Sequence, residues 1–451
     1  MDKKNSQRGV RNGGLMTNPS FNIITLGCKV NQYESAYLED ALVRAGCRQA
    51  VNGEMADISL INTCIVTQRA AHQSRQAIRK AIRENPKGIV AAIGCYAQVF
   101  PDELSQIQGL GLIADNTVKG KIPGLLLGLD GSEKKSVFLN DFEPGTPFEF
   151  LPIHRFSDRT RAYLKIQDGC ESFCSYCIVA FARGPYRSLS PERVLSVIES
   201  FVSQGYKEIV LTGIHLGKYG VDLKGGMNLT QLLRAIGKEG LPARIRLSSL
   251  EPNEIYADLM EIVATEPWLC RHFHIPLQSG DDGILKKMNR HYTRREFADI
   301  VESIHARIPF AAIGVDVMAG FPGEDSVAHE NTRALINDLP ISYLHVFPFS
   351  RRPGTAAAVF DGQIDPVCIK ERSKKLRDLG QLKRTLFYRS CLNNTFWVLA
   401  ESWYSKENKK MKGMSDNYVP VVFPTSQDSR NRMVRVRLEK VANHVVIGSA
   451  L

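Results

Sequence analysis

The sequence lacks any long apolar run, and this absence argues against a membrane-spanning protein. No stretch approaches the about 18 apolar residues that a transmembrane helix needs. Residues 1–20 are polar and contain no apolar core of the kind that a secretory signal peptide carries. We therefore expect a cytoplasmic protein with no membrane partner, in which clustered cysteines serve metal or redox chemistry more often than disulfides.

The ten cysteines include one cluster of three, and a fourth cysteine close to that cluster is absent. Cys170, Cys174 and Cys177 form a C-x₃-C-x₂-C run, and no fourth cysteine lies within reach in sequence. An electron-transfer cluster requires a fourth cysteine close by, and a structural zinc requires four donors. Three thiolates on a 4Fe–4S cluster leave one iron without a protein ligand, and an open iron can carry chemistry. An incidental trio or a zinc knuckle is the alternative.

Composition and charge are those of a folded protein with a basic C-terminal part. Of 451 residues, 43% are hydrophobic and 23% are charged, which fits a chain of about two to four domains. Lys and Arg number 58 against 47 Asp and Glu, a net charge of +11. Residues 351–451 hold 19 Lys and Arg against 9 Asp and Glu, so 10 of the 11 excess charges lie there. A localised positive excess indicates nucleic-acid binding.

Strand and helix patterns alternate from Phe21 onwards. Three short apolar runs each end just before a cysteine, namely Cys28, Cys64 and Cys95, at spacings of 36 and 31 residues. Each spacing is that of about one β-α-β unit. Because the carboxyl ends of parallel strands lie along one edge of a sheet, we expect the three cysteines to converge and to hold a second cluster. Three unrelated buried cysteines are the alternative.

A second series of six strand-helix units follows. Its strands are predicted at 162–166, 208–211, 244–247, 272–275, 313–317 and 343–347. Six units favour an open barrel, with the active site at the carboxyl ends of the strands. The cysteine trio follows the first of these strands, where such a site needs it.

In the last segment of the chain, the pattern changes from strand-helix units to short strands. Strands are predicted at 396–401, 418–423, 433–441 and 444–447, with Trp397, Trp403, Tyr404 and Tyr418 interleaved. Residues 387–451 contain ten Lys and Arg against five Asp and Glu. A small basic β-barrel with aromatic residues suits RNA binding through phosphate contacts and base stacking. A barrel with core aromatics and a solvated basic face is the alternative.

The predicted fold class is therefore α/β, with an N-terminal open parallel α/β sheet, a central partial (β/α)₆ barrel and a C-terminal small β-barrel. The predicted division is a disordered tail over 1–18, an N-terminal domain over 19–133, a linker over 134–155, a central domain over 156–386 and an RNA-binding domain over 387–451.

Four motifs resemble those of the radical S-adenosylmethionine (SAM) methylthiotransferases: Thr25–Ser35 (TLGCKVNQYES), Asn62–Thr67 (NTCIVT), Gly94–Gln98 (GCYAQ) and Gly169–Cys177 (GCESFCSYC). The resemblance covers nearly the whole chain after residue 20, and the terminal segment is similar to a TRAM domain. The first motif resembles the MtaB group more than the MiaB group. The resemblance implies SAM and two 4Fe–4S clusters as cofactors, with an auxiliary cluster on Cys28, Cys64 and Cys95 and a radical-SAM cluster on Cys170, Cys174 and Cys177.

The same resemblance implies an activity, the methylthiolation of C2 of N6-threonylcarbamoyladenosine at position 37 of tRNA. SAM serves there both as methyl donor and as source of the 5′-deoxyadenosyl radical. A radical is needed because an aromatic C2–H has no useful acidity and offers no leaving group. The implied partners are the anticodon stem-loop of ANN-decoding tRNAs, an electron donor and a sulfur donor.

Three alternatives stay open. The same chemistry could act on isopentenyl-adenosine in tRNA or on an aspartate of a ribosomal protein. A protein of another class, a non-catalytic iron–sulfur RNA-binding or sensor protein, is the third.

Residues near the predicted strand ends are candidates to bind SAM. No side chain is assigned a catalytic role, because the clusters and SAM carry the chemistry. The residues predicted to line the SAM pocket are Tyr176, Thr212, Gly213, Ser249, Glu251, Gln278, Asp316 and Gly320. A purely architectural role is the alternative for each of them.

Overall fold

The computed structural model describes residues 11, 12, 15, 16, 18–51, 53–129, 135–143, 145–154, 156, 159–442 and 444–451. Their contacts divide the chain into two compact units. The first comprises the described residues of Met1–Ser157, Gly169–Glu171 and Cys177–Pro185, and the second those of Asp158–Asp168, Ser172–Tyr176 and Tyr186–Leu451. Most of the predicted tail and parts of the predicted linker lie outside the described residues. Among the helices that are described, none combines the length and the apolar character that crossing a membrane requires.

The described residues of the first unit form eight strands and six α-helices, numbered along the chain. The strands are β1 (Arg11–Asn12), β2 (Leu15–Met16), β3 (Ser20–Thr25), β4 (Arg48–Gln49), β5 (Ile58–Thr63), β6 (Ile89–Gly94), β7 (Leu112–Ala114) and β8 (Ser136–Phe138). The helices are α1 (Lys29–Arg44), α2 (Gln68–Glu84), α3 (Cys95–Val99), α4 (Pro101–Ser105), α5 (Ile122–Leu127) and α6 (Val179–Arg183).

A six-stranded parallel sheet in the order β4-β3-β5-β6-β7-β8 forms the centre of this unit. Every residue of β5 and β6 is buried, as expected for central parallel strands covered on both faces. The helix α2 begins at a capped end, because the Thr67 side chain accepts a hydrogen bond from the backbone N–H of Ala70. The predicted N-terminal parallel α/β sheet is confirmed.

The second unit begins with the barrel strands β9 (Arg161–Lys165), β12 (Glu208–Thr212), β13 (Arg244–Leu247), β14 (His272–Gln278), β15 (Ala312–Ala319) and β16 (Tyr343–Pro348), together with the short pair β10 (Gln167–Asp168) and β11 (Arg187–Ser188). Its helices are α7 (Pro191–Ser203), α8 (Leu229–Lys238), α9 (Ala257–Thr265), α10 (Asp282–Lys287), α11 (Arg294–Arg307), α12 (Ser326–Asp338) and α13 (Pro366–Ser390).

The six barrel strands form two parallel three-stranded sheets, β9-β12-β13 and β14-β15-β16. A single bridge between Ile245 and Leu269 extends the pairing of β13. This is the predicted partial barrel of six units, and each predicted strand overlaps an observed one.

The chain ends in a closed five-stranded barrel in the order β17-β18-β19-β21-β20, with β17 (Thr395–Ser405), β18 (Lys410–Ser415), β19 (Pro420–Pro424), β20 (Met433–Ala442) and β21 (Val445–Ala450). The prediction contained only four of these strands and missed β18. The reason is its composition, since the run KMKGMS has few strand-forming residues. Gly413 permits the pairing, because a Cβ there would lie 2.2 Å from the carbonyl oxygen of Leu399.

A buried charge network joins the two barrels within the second unit. The carboxylate of Glu208 accepts hydrogen bonds from Arg244 Nε and Arg246 Nε, both at 2.7 Å. The same guanidinium groups donate to backbone carbonyls of the small barrel, Arg244 to Trp397 (2.9 Å) and Arg246 to Asp416 (2.9 Å). Burial raises the pKa of Glu208, but the two arginines outweigh it and hold that pKa well below its usual range.

Candidate active site

The neighbouring strands β3, β5 and β6 each carry one cysteine past their carboxyl ends. Cys64 follows β5 directly, Cys95 follows β6 directly, and Cys28 lies three residues after β3. The strands end level, since the register pairs Thr25 with Asn62 and Thr63 with Gly94. The sheet thus brings the three cysteines to one edge, with Cys64 and Cys95 buried and Cys28 exposed.

Tight backbone geometry and one asparagine hold this edge. Gly27 adopts a φ of +94°, and a Cβ on it would lie 2.9 Å from Cys64 Sγ. The amide of Asn31 donates to the carbonyls of Leu26 (2.7 Å) and Thr63 (3.0 Å), so it joins the residues that precede Cys28 and Cys64. A glycine at 27 and an amide at 31 are therefore structural requirements of this edge.

The pKa of Cys64 depends on the other two thiols, which therefore lie near it. Burial is the main cause that raises the pKa of Cys64 to about 12, and the neighbouring thiols of Cys95 and Cys28 contribute to that rise. Arg183 acts in the opposite direction. Crowded thiols of this kind are costly to ionise alone, and a bound metal ion or the cationic core of an iron–sulfur cluster relieves that cost.

Arg183, at the end of α6, lies in a buried charge network of the first unit. Its guanidinium donates to Glu34 Oε1 (2.5 Å) and to Asn31 Oδ1 (2.6 Å), and Lys119 also pairs with Glu34. The side chains of Arg183, Glu34 and Lys119 are each only 1% exposed. Asn31 also holds the backbone beside Cys28 and Cys64. The network therefore stabilises the sheet edge that carries the three cysteines, which we call the cysteine edge.

Within the second unit, the segment Ser172–Tyr176 is fixed by the chain around residues 287–289. The backbone N–H of Ser175 donates to the carbonyl of Met288 (3.1 Å), and its hydroxyl donates to the carbonyl of Lys287 (2.8 Å). The amide of Asn289 donates to the carbonyls of Ser172 (3.2 Å) and Phe173 (3.1 Å). These bonds hold the segment that contains Cys174 in one conformation.

Arg290 contacts Cys174 directly. Its Nη1 lies 3.3 Å from Cys174 Sγ, while its Nη2 pairs with the carboxylate of Glu251. The guanidinium also stacks over the ring of Tyr292, with 5.0 Å between Arg290 Cζ and the ring centroid. Burial raises the pKa of Glu251, and the charge of Arg290 opposes that rise. A fixed cation beside Cys174 favours its thiolate form.

Cys170 belongs to the first unit with its neighbouring turns. Its backbone N–H donates to the carbonyl of Gly184 at 2.9 Å. Gly169 has a φ of +80°, and a Cβ there would lie 1.7 Å from the carbonyl oxygen of Pro185. Only glycine fits at position 169 beside the first cysteine of the C-x₃-C-x₂-C run.

Five residues predicted to bind SAM occupy the ends of barrel strands. Thr212 is the last residue of β12, and Gly213 follows it. Gln278 ends β14 with a φ of +60°, and Gly320 follows β15 with a φ of +82°. Ser249 is exposed two residues after β13. Their positions are as predicted, and their contact with SAM stays a prediction.

The other three predicted SAM residues have protein partners. The ring of Tyr176 lies edge-to-face with Phe321, with 6.4 Å between centroids. Glu251 pairs with Arg290, as described above. Asp316 lies within β15 and accepts hydrogen bonds from two histidines, His274 on β14 (2.8 Å) and His345 on β16 (3.3 Å).

These histidines belong to a row of hydrogen-bonded side chains across β14, β15 and β16. The hydroxyl of Tyr343 lies 2.8 Å from His272 Nε2 and 3.2 Å from His274 Nδ1. Gly314 makes this possible, because a Cβ at that position would lie 2.1 Å from Tyr343 Cζ. The full row runs His272, Tyr343, His274, Asp316 and His345.

The row lies on the inner face of the barrel. Tyr418 of the small barrel packs against His272 (4.5 Å between centroids) and Tyr343 (5.7 Å). Arg246 of β13 lies over the same Tyr418 ring at 5.2 Å. Because side chains from both three-stranded sheets meet around one ring, they share the enclosed side of the six strands.

Comparison with known proteins places the chain in a family. The model of "Uncharacterized protein family UPF0004" matches residues 20–114, and the model of the radical SAM superfamily matches residues 164–336. "Threonylcarbamoyladenosine tRNA methylthiotransferase MtaB" of Bacillus subtilis is 37% identical over 420 residues, which are 92% of this chain and 93% of that protein. The chain belongs to the MtaB-type radical-SAM tRNA methylthiotransferases.

Two further similarities concern a relative with another substrate in its name and a solved structure of similar fold. The "tRNA-2-methylthio-N(6)-dimethylallyladenosine synthase" of Dictyoglomus thermophilum is 32% identical over 427 residues, 93% of this chain and 96% of that protein. The solved structure of the radical SAM methyltransferase TsrM from Kitasatospora setae aligns with a TM-score of 0.57 at 15% identity, over 76% of this chain and 75% of that one. The second likeness concerns the fold alone.

Membership in the family makes the chain an enzyme whose cofactors are SAM and 4Fe–4S clusters. The donors in the structure fit such cofactors. Thiols of the first unit crowd at one sheet edge, and each unit provides an arginine beside a cysteine, Arg183 acting on Cys64 and Arg290 on Cys174. Soft sulfur donors near positive charge suit an anionic iron–sulfur cluster.

Sequence reasoning missed both arginines and His345, one of the two histidines that flank Asp316. Arg183 is 149 residues from its partner Glu34, and Arg290 is 116 residues from Cys174. No local periodicity signals contacts over such separations. His274 and Asp316 lie in the predicted strands 272–275 and 313–317, but only the strand order shows that His345 joins them.

Proposed function

We propose that this enzyme transfers a methylthio group to C2 of N6-threonylcarbamoyladenosine at position 37 of tRNA. The observation that supports the choice of this substrate is the similarity, over 92% of the chain, to the Bacillus subtilis protein whose name contains that nucleoside. The resemblance of Thr25–Ser35 to the MtaB group supports the same choice. The proposed RNA element is the anticodon stem-loop of ANN-decoding tRNAs, with an electron donor and a sulfur donor as further partners.

The two cysteine trios are the proposed cluster ligands. Cys28, Cys64 and Cys95 hold the auxiliary cluster, and Cys170, Cys174 and Cys177 hold the radical-SAM cluster. When bound, the clusters and SAM supply the 5′-deoxyadenosyl radical and the methylthio group, with SAM as both radical source and methyl donor.

The protein's own side chains keep the cysteines in place. Asn31 holds the backbone next to Cys28 and Cys64, and Arg290 places a positive charge at Cys174. The proposed SAM pocket is formed by the eight residues named in the sequence analysis.

The small barrel is the proposed contact with the tRNA backbone and bases. Trp397 is 52% exposed on β17, and Arg435 of β20 lies over its ring at 6.0 Å. An exposed aromatic ring beside an arginine suits base stacking together with phosphate contact.

Nucleoside mass spectrometry tests the substrate. We expect tRNA from a strain that lacks the gene to lose 2-methylthio-N6-threonylcarbamoyladenosine and to regain it with the wild-type gene. Persistence of that nucleoside, with loss of the methylthio derivative of isopentenyl-adenosine or of a methylthiolated ribosomal protein, would assign one of the alternative substrates.

Two cysteine variants test the assignment of ligands. Cys174→Ala should abolish reductive SAM cleavage by anaerobically reconstituted protein and leave the iron bound to the first trio. Cys64→Ala should abolish methylthio transfer through loss of the auxiliary cluster. Cys368→Ser is the matched control, since Cys368 lies in α13 outside both trios. Normal SAM cleavage by the Cys174 variant would remove Cys174 from its role.

A further inference from the structure

His345 has one ring nitrogen fixed by the protein and one left for a ligand. Its Nδ1 lies 3.3 Å from Asp316 Oδ1, and its side chain is 50% exposed. Among the described residues, no hydrogen-bond partner of its Nε2 is found. Asp316 is 20% exposed and His274 10% exposed, so His345 is the most exposed member of the cluster.

Asp316 is held as an anion that orients the ring. Burial raises the pKa of Asp316, but hydrogen bonds from His274 and His345 outweigh it and hold that pKa well below its usual range. An anionic Asp316 requires His345 to keep its proton on Nδ1. The imidazolium form of the ring can donate from Nδ1 to Asp316 and from Nε2 to a ligand carboxylate, so the ring would lie between two carboxylates.

The nucleosides in the names of the two relatives carry different substituents, and such a cluster can bind only a polar one through hydrogen bonds. A threonylcarbamoyl group carries a carboxylate and a hydroxyl, whereas a dimethylallyl group is a hydrocarbon. Covering the Asp316–His345 pair with a hydrocarbon would remove water from polar groups without replacing its hydrogen bonds. The pair therefore suits the polar substituent and disfavours the apolar one.

The position of the cluster matches this chemistry. It lies on the inner face of the barrel, and His345 is the third of six residues of β16. Substrates of such barrels bind over the carboxyl ends of the strands. A substituent that points into the barrel from an adenine bound there would run towards the middle of the strands, where His345 lies.

We propose that His345, oriented by Asp316, binds the carboxylate of the threonylcarbamoyl group and so selects the substrate nucleoside. Asp316 is a positioning residue in this assignment. The inference rests on the proposed function, and it names the substrate group that the barrel recognises.

The test uses reconstituted holoenzyme and two anticodon stem-loop RNAs. One carries N6-threonylcarbamoyladenosine and the other its methyl ester, which lacks the negative charge. We expect wild-type kcat/KM to be about 10- to 100-fold lower on the ester, because a charge-assisted hydrogen bond is lost. His345→Phe should lose that factor on the acid RNA and show no further loss on the ester.

Further variants separate this role from a structural one. His345→Gln keeps a donor amide and should retain part of the preference for the acid, and it remains informative if the phenylalanine variant does not fold. His305→Phe, a substitution at an exposed position of α11, should keep the full preference. If His345→Phe discriminates between the acid RNA and the ester RNA as strongly as the wild type does, the assignment is wrong.

Two results distinguish failure of the inference from failure of the proposed function. A wild-type enzyme that methylthiolates a dimethylallyl RNA and leaves the threonylcarbamoyl RNA unchanged refutes both. Two imidazoles and a carboxylate also match a divalent-cation site, and these ligand atoms lie within 4.8 Å of one another. Stoichiometric Mn²⁺ binding by the holoenzyme that His345→Phe abolishes, measured by electron paramagnetic resonance, would replace the direct contact with a metal.

Discussion

Replacing Arg183 by methionine removes the guanidinium from the buried network behind the cysteine edge. The side chain makes hydrogen bonds to Glu34 Oε1 (2.5 Å), Glu34 Oε2 (3.2 Å) and Asn31 Oδ1 (2.6 Å). Removing one partner of a buried ion pair costs about 3–5 kcal/mol, because the other charge stays buried without compensation. Glu34 keeps Lys119, so we expect the lower end, a loss of about 3 kcal/mol in the free energy of unfolding of the first unit.

Hydrogen exchange followed by mass spectrometry measures this loss locally. A decrease of about 3 kcal/mol corresponds to exchange about 100-fold faster in peptides of β3, β5 and β6. Peptides of β14–β16 in the second unit should exchange as in the wild type. The double variant Glu34→Gln with Arg183→Met should cost clearly less than the sum of the single variants, because the two side chains share one interaction.

Arg79→Met provides the matched control. Arg79 is exposed on α2 in the same unit, and its removal should leave the exchange of the sheet unchanged. An acceleration below about 10-fold for Arg183→Met, or equal accelerations for both variants, would refute the reasoning about the network.

Three further predictions concern the second unit. Glu208→Gln leaves Arg246 buried without its anion and should lower stability by about 3–5 kcal/mol in urea unfolding, and a shift of the midpoint no larger than that of a surface substitution would contradict it. Trp397→Ala should weaken binding of an anticodon stem-loop about 5- to 100-fold, whereas Arg435→Gln should mainly reduce its salt dependence, and fluorescence anisotropy at several salt concentrations separates the two. Burial lowers the pKa of His329 from 6.5 to about 4, so the unfolded state takes up a proton first and stability falls as the pH decreases from 6.5 to 4. His329→Gln should abolish about 3 kcal/mol of that decrease, and an unchanged pH profile would show that another group causes it.

The sequence predicts best the parts of the structure that depend on local pattern. The strands before Cys28, Cys64 and Cys95 are short apolar runs, and parallel pairing is enough to bring their ends to one edge. The six barrel strands were located in the same way. The strand Lys410–Ser415 was missed because lysine, glycine and methionine give no strand pattern, and barrel closure supplies its pairing.

The charged contacts of the site could not be predicted from pattern. Arg183 and Glu34 meet only after the chain from Cys177 to Pro185 joins the first unit. Asp316 was predicted as a residue of the SAM pocket from its position near a strand end. Its pairing with His274 and His345 depends on the order of β14, β15 and β16, which the sequence of any one strand does not contain.

The assignment of Cys177–Pro185 to the first unit restricts how this protein can be divided for experiments. A fragment that stops at residue 157 would contain Glu34 and Lys119 without their guanidinium partner. It would also lack Ile178 and Ala182, which belong to the apolar core of that unit. We therefore expect that the N-terminal sheet does not fold as an autonomous module, and that truncations, gene fusions and split-protein designs have to keep this later segment attached.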